Sequence, residues 1–242
     1  HDDVVDESAQ RRGRPTANLL WGNHSSVLVG DYLFARSFQL MVETGSIEVL
    51  DILADASAQI AEGEVLQLTA AQNLATDEAT YLQVVRGKTA ALFAAATKVG
   101  GVIAQAPKLQ IEALYTYGDA LGVTFQIVDD LLDFQGDPTV TGKNIGDDFR
   151  ERKLTLPMIK AIEAADQTQR AFWHRTIRNG RQEKGDLEHA IALMAAHGAF
   201  ESARSDAQDY GMIARSALHD MPEHPLREIL GDLIDYVLNR LH

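Results

Sequence analysis

The 242-residue chain carries 22 Lys+Arg against 35 Asp+Glu, a formal net charge of −13, and 45% of its residues are apolar. This usage fits a soluble globular chain with a sizeable core, while the negative charge opposes non-specific binding to nucleic acid or to an anionic membrane surface. The longest apolar stretches, such as Ala90–Ala96, stop well short of the ~20 residues a bilayer span needs. With no Cys, disulfides and thiolate metal sites are excluded, and a cytoplasmic location is suited.

The first residues, His1-Asp2-Asp3-Val4-Val5-Asp6, have neither an initiating Met nor the order of a secretory signal, and they read as the middle of a helix. The expectation is therefore that the native N-terminus lies upstream. Apolar residues then recur at helical spacing: Leu50, Leu53, Ile60 and Leu68, then Leu187, Ile191 and Met194, then Ile229, Leu233, Tyr236 and Val237. The predicted helices cover about 1–9, 24–43, 46–72, 77–106, 108–135, 154–165, 168–179, 186–197, 200–219 and 225–241. Gly45, Pro107, Gly180, Gly198 and Pro225 fall between them, where stops and starts are tolerated. Two loops stand apart, Arg11–Asn23 and Gly136–Lys153. No alternating strand run, repeat or Pro/Ser linker is seen, so a single all-α domain over residues 1–242 is expected.

Asp2, Asp3 and Asp6 form an Asp-Asp-x-x-Asp pattern, and Asp129, Asp130 and Asp133 form a second. Positions i and i+4 share a helix face, so each pattern aims a pair of carboxylates in one direction. The second lies inside Phe125-Gln126-Ile127-Val128-Asp129-Asp130-Leu131-Leu132-Asp133-Phe134, whose apolar surroundings place the acids at the border of a core rather than on a solvated face. Oxygen ligands of this kind suit Mg²⁺, which takes one or two carboxylates and completes its octahedron with water and substrate phosphates.

Basic residues stand where a diphosphate bridging such cations would need them. Arg11 and Arg12 follow the first cluster, Lys88 sits in Arg86-Gly87-Lys88-Thr89, and Lys143 and Lys153 flank the Gly-rich loop after the second. Singly each is an ordinary surface charge; their joint placement is the signal. Gly142-Lys143-Asn144-Ile145-Gly146 does not match a Walker A loop. Gly87 would permit a kink that aims Lys88 and Thr89 inward. The eight His residues show no ligand spacing, and no nucleophile elbow is found.

Together with Ile60-Ala61-Glu62-Gly63-Glu64, Lys88-Thr89-Ala90 and Lys153-Leu154-Thr155-Leu156-Pro157, these motifs resemble the trans-polyprenyl diphosphate synthases over essentially the whole chain. The resemblance is strongest to the bacterial octaprenyl and decaprenyl enzymes of quinone side-chain synthesis. It implies an isoprenoid synthase helical bundle around a central cavity, with N-terminal helices missing from this chain, and a homodimer. It also implies a prenyltransferase that condenses an allylic diphosphate with successive isopentenyl diphosphate units. Three Mg²⁺ would be held chiefly by Asp2, Asp6 and Asp129, with Asp3, Asp130 and Asp133 contributing directly or through water. Arg11, Lys88 and Lys143 would hold the allylic diphosphate and Arg12 the isopentenyl diphosphate, with Lys153 a further substrate-binding residue. Thr89 and Gln126 would stand beside the allylic carbon.

Two departures from the family pattern are visible. Its Gly-Gly-Lys-x-x-Arg-Pro segment would precede His1, and Arg152 replaces the usual Gly before Lys153, which either alters that loop or adds a phosphate-facing cation. A terpene cyclase and a non-catalytic partner subunit are the rival readings. Both are disfavoured by two intact acidic motifs. Small residues Ser26, Gly30 and Ala35 give way along the second helix to Phe34, Phe38 and Met41, so Met41 with Leu53 is either the floor of a product tunnel or ordinary core.

Overall fold

A computed structural model of the chain describes residues 1–5, 9–11, 14–136 and 145–240, with main chain only for Asp2 and Arg11. Of the expected site, Asp6, Arg12, Lys143 and the side chains of Asp2 and Arg11 therefore lie outside the described residues. A short helix α1 (Asp2–Val5) is followed by two-residue strands β1 (Gln10–Arg11) and β2 (Arg14–Pro15), paired antiparallel with Arg11 opposite Arg14. Long helices come next: α2 (Ala17–Glu43), α3 (Ile47–Ala70), and α4 (Glu78–Val85), which runs through a π-helical turn at Arg86–Ala90 into α5 (Ala91–Ile103). The longest is α6 (Lys108–Gln135). Shorter helices α7 (Asp147–Arg150), α8 (Leu156–Glu163), α9 (Gln167–Trp173), α10 (Asp186–Ala196), α11 (Ala199–Ala217) and α12 (Pro225–Asn239) complete the bundle.

Local chemistry explains several boundaries. Ser46 accepts from the Val49 amide at 3.3 Å and Asp77 from the Thr80 amide at 2.8 Å, so α3 and α4 start on side-chain caps. Asp166 and Gln169 form a reciprocal capping box at α9. Gly45, Gly180 and Gly198 each take a positive φ between helices.

Two sequence expectations are corrected. Helix α2 begins at Ala17 rather than near residue 24; Gly22, at φ 82° and ψ 162°, interrupts it and makes the segment look like a loop. The stretch 136–153 contains α7 rather than loop alone. On α12 the buried face is Gly231, Ile234 and Val237, while Ile229, Leu233 and Tyr236, which with Val237 mark the helix in the sequence, are exposed.

The core is built around α6, which α5 and α11 flank. Ile127, Val128 and Leu131 of α6 are fully buried, as are Phe149, Met158 and Trp173 around them. Residues Asp129 and Asp130 thus sit at the end of the most buried helix. Among the described residues, no helix is long and apolar enough to cross a membrane. Much of the outer face of α2, including Leu28, Tyr32 and Leu33, is apolar and exposed.

Candidate active site

Helix α3 and the π-helical turn meet backbone to backbone. A Cβ added at Gly63 would lie 2.6 Å from the Lys88 amide nitrogen, and one at Gly87 would lie 3.0 Å from the Gly63 Cα. The predicted kink at Gly87 is thus a π turn pressed on α3, and it directs Lys88 and Thr89 into a cavity of about 340 Å³. The cavity gathers Lys88, Thr89, Gln126, Asp129, Asp130 and Lys153, six of the expected site residues.

Each of these is held by a defined partner. Lys88 Nζ donates to Glu64 and to Gln67 Oε1, both at 3.0 Å, and Lys153 pairs with Glu151 at 2.7 Å. The Thr89 hydroxyl donates to Gln126 Oε1 at 2.8 Å, and Gln126 Nε2 donates to Asp130 Oδ1 at 2.8 Å. The Tyr81 hydroxyl donates to Asp130 Oδ2 at 2.6 Å. Burial pushes the Asp130 carboxyl up to about 7; the hydrogen bonds from Tyr81 and Gln126 oppose the rise and the neighbouring Asp129 and Asp133 add to it. Burial and Asp130 likewise hold the Tyr81 phenol well above its usual range.

Asp133 points elsewhere. Its carboxylate oxygens accept from the Asp147 and Asp148 amides, both at 3.2 Å, and so cap the first turn of α7. That cap carries Asp148 into the cavity, where burial first, then Asp133 and Asp130, raise its carboxyl well above the ordinary range against the pull of Lys153. Arg152 does not line the cavity. It adopts φ 59°, the left-handed conformation that explains a Gly preference, and its guanidinium lies against Gly180, where an added Cβ would be 2.7 Å from Nη1.

Among the described residues no group of three or more acidic or His side chains converges on a metal-sized site. Mg²⁺ does not require one, because a carboxylate or two suffices where water and phosphate oxygens complete its shell, and Asp129 lines the cavity. In the first cluster, Asp3 is half-buried on α1, which is docked on α2 by the Asn18 side chain donating to the Asp3 carbonyl at 3.3 Å.

Met41 and Leu53 come together in a second cavity of about 560 Å³ between α2, α3 and α5. Its lining is almost wholly apolar and includes Phe34, Leu92 and Ile103. Both cavities open on α3, one at its C-terminal end and the other towards its N-terminal end.

The polyprenyl synthetase family model matches residues 1–194. The chain belongs to that family. It is 42% identical over 241 residues to the all-trans-nonaprenyl-diphosphate synthase (geranyl-diphosphate specific) of Rhodobacter capsulatus, covering 100% of this chain and 73% of that protein. It is 41% identical over 240 residues to the octaprenyl diphosphate synthase of Escherichia coli strain K12, covering 99% and 74%. Among solved structures, a decaprenyl diphosphate synthase from Rhodobacter capsulatus superposes with a TM-score of 0.96 at 66% identity, covering 100% of this chain and 74% of that one. A polyprenyl synthase from Caulobacter crescentus CB15, complexed with calcium and isoprenyl diphosphate, gives 0.95 at 47% identity with the same coverage.

Against this family background, the cavity holds residues that sequence reasoning did not single out: Tyr81, Asp148 and Gln67. Arg240 also reaches Asp129, at 3.8 Å, with its guanidinium 5.2 Å from the centre of the Phe125 ring. Adjacent acids in Asp147-Asp148 were the available signal for one of them. The others are legible only in three dimensions.

Proposed function

We propose that the cavity is the active site of a Mg²⁺-dependent prenyltransferase. It would join an allylic diphosphate to successive isopentenyl diphosphate units and make an all-trans polyprenyl diphosphate of octaprenyl to decaprenyl length for quinone side chains. One observation carries the reading: carboxylates, lysines and an oxygen-bearing Thr–Gln pair share one cavity, while an apolar cavity lies farther along α3. Names of relatives that run from octaprenyl to decaprenyl synthase support the product length.

Asp129, with Asp2, Asp3 and Asp6 of the first cluster, would hold three Mg²⁺, and Asp130 and Asp133 would support them from behind. When bound, the ions supply positive charge to the leaving diphosphate. Lys88 would exchange Glu64 for a phosphate oxygen, joined by Arg11, Lys143 and Lys153, and Arg12 would hold isopentenyl diphosphate. As the allylic C–O bond breaks, its electron pair leaves with the diphosphate and positive charge grows on carbon. Thr89 and Gln126 would turn oxygen towards that carbon. The double bond of isopentenyl diphosphate attacks it, and a proton is lost to the released diphosphate, so no protein base is required.

The growing tail would run along α3, since Gln67 and Leu53 are separated by about 21 Å at 1.5 Å per residue, and Met41 with Leu53 would form its floor. A cytoplasmic homodimer would cover part of the exposed apolar surface of α2 and α3, to be checked by light scattering. The catalytic test is Mg²⁺-dependent diphosphate release by the full-length protein from farnesyl and isopentenyl diphosphates. Asp129→Ala is expected to lower turnover by orders of magnitude with an unchanged helical circular dichroism spectrum. Near-normal turnover would refute the assignment.

A further inference from the structure

We infer that Tyr81 is a positioning residue that, through Asp130 and Gln126, fixes the direction in which the Thr89 hydroxyl points. This deepens the function proposed above and rests on it. Tyr81 comes from α4, and 49 residues separate it from Asp130; both are almost fully buried. Its hydroxyl has one proton, and that proton is given to Asp130 Oδ2 at 2.6 Å.

The rest of the chain of bonds runs on from there in one direction. Asp130 Oδ1 in turn accepts from the NH₂ end of the Gln126 amide at 2.8 Å. The carbonyl end of Gln126 is thereby turned to Thr89, which spends its single proton on Oε1 at 2.8 Å. What the Thr89 oxygen has left for the cavity is lone pairs. Reversing the amide would take this donor away from Asp130 Oδ1 and free the Thr89 proton to face the cavity. A proton presented to a carbon that is gaining positive charge opposes ionisation, whereas lone pairs assist it. The Tyr81 hydroxyl occupies Oδ2 and so holds the carboxylate in the rotation that offers Oδ1 to Gln126.

A tyrosine that merely closes the core would act on stability and not on this polarity. The two roles separate in a double-mutant cycle on the full-length enzyme with Mg²⁺, farnesyl diphosphate and isopentenyl diphosphate. Tyr81→Phe is expected to lower kcat by roughly 10-fold, the scale of one lost charge-assisted hydrogen bond, with the allylic KM within about 2-fold. Thr89→Val should lower kcat further, and Thr89→Ser, which keeps the hydroxyl, should retain most of it. If Tyr81 acts through Thr89, the double variant is no slower than Thr89→Val alone. Additive losses overturn the inference, as does a change in KM alone or an unchanged kcat in Tyr81→Phe. Melting curves accompany each variant, and a Tyr81→Phe protein that does not fold counts for a structural role and against this one. An inactive wild-type enzyme would instead sink the proposed function, and so the two failures are distinguishable.

Discussion

Gly63→Ala probes the contact that places the π turn carrying Lys88 and Thr89. The added Cβ would lie 2.6 Å from the Lys88 nitrogen and 2.9 Å from the Gly87 carbonyl carbon, both main-chain atoms that cannot swing aside as a side chain can. Ordinary contact begins near 3.4 Å, so α3 and the π turn must part by roughly 0.8 Å. Overpacking of this kind costs about 1–3 kcal/mol, but alanine returns about 1 kcal/mol of helix propensity, so the net loss of stability is only about 0–2 kcal/mol. Activity is the sharper readout. Lys88 and Thr89 ride on the displaced turn, and a misplacement of about 1 Å can cost on the order of 100-fold in rate. Diphosphate release should therefore fall by about 10- to 100-fold, with a melting temperature only a few degrees lower, roughly 2–4 °C per kcal/mol. Gly100→Ala is the control: nothing lies within 4 Å of its added Cβ, so turnover should be unchanged and stability should rise by up to about 1 kcal/mol. Wild-type turnover in Gly63→Ala, with the control behaving as described, would refute the reasoning.

Three further outcomes are expected. Arg152→Gly should raise stability by about 1 kcal/mol in denaturant unfolding, because φ 59° strains any residue with a Cβ; a clear loss would mean that the guanidinium over Gly180 matters more. Arg175 and the Glu183 amide hold the Asp186 carboxyl below its usual range, so its contribution is complete above the ordinary carboxylate value near 4 and is lost as pH falls through the lower folded value. Asp186→Asn should thus melt lower than wild type at pH 7, with the gap closing below about pH 4, and a gap independent of pH would contradict the pairing. Met41→Ala with Leu53→Ala should lengthen the products at similar initial rates, read by chromatography of the dephosphorylated chains; an unchanged length distribution from a folded variant would return both residues to the core, where each truncation costs roughly 2–5 kcal/mol.

The helical architecture was legible because apolar spacing and helix punctuation agree over most of the chain. Where they failed, the reason is physical. Gly22 breaks α2 without ending it, and Asn23 beside it adds to the appearance of a loop. On α12, apolar residues occupy two faces, and only tertiary packing decides which of them is buried. Cavity-lining residues with unusual chemistry for their surroundings, such as Asp129 and Asp130 in an apolar run, stand out in the sequence. Tyr81 could not, because a tyrosine at helical spacing reads as core, and its bond to Asp130 spans 49 residues.

The two acidic residues after Asp129 also show how one motif can divide its work. Asp129 keeps a partly exposed carboxylate in the cavity, Asp130 is buried between Tyr81 and Gln126, and Asp133 accepts from the first amides of α7. Spacing alone treats them as equivalent, since i and i+4 share a face and i+1 is adjacent to it. Partners make them different: Tyr81 of α4 lies 49 residues from Asp130, and the amides of α7 lie beyond the end of α6, which carries Asp133. The same holds for the glycines of Ile60-Ala61-Glu62-Gly63-Glu64 and Arg86-Gly87-Lys88-Thr89. These read as two separate motifs, yet Gly63 and Gly87 are the two halves of one backbone contact, and Glu64 and Lys88 are the ion pair beside it. A residue in either motif is therefore constrained by the geometry of the other: the first supplies the close approach, and the second uses it to aim a lysine and a hydroxyl at the cavity.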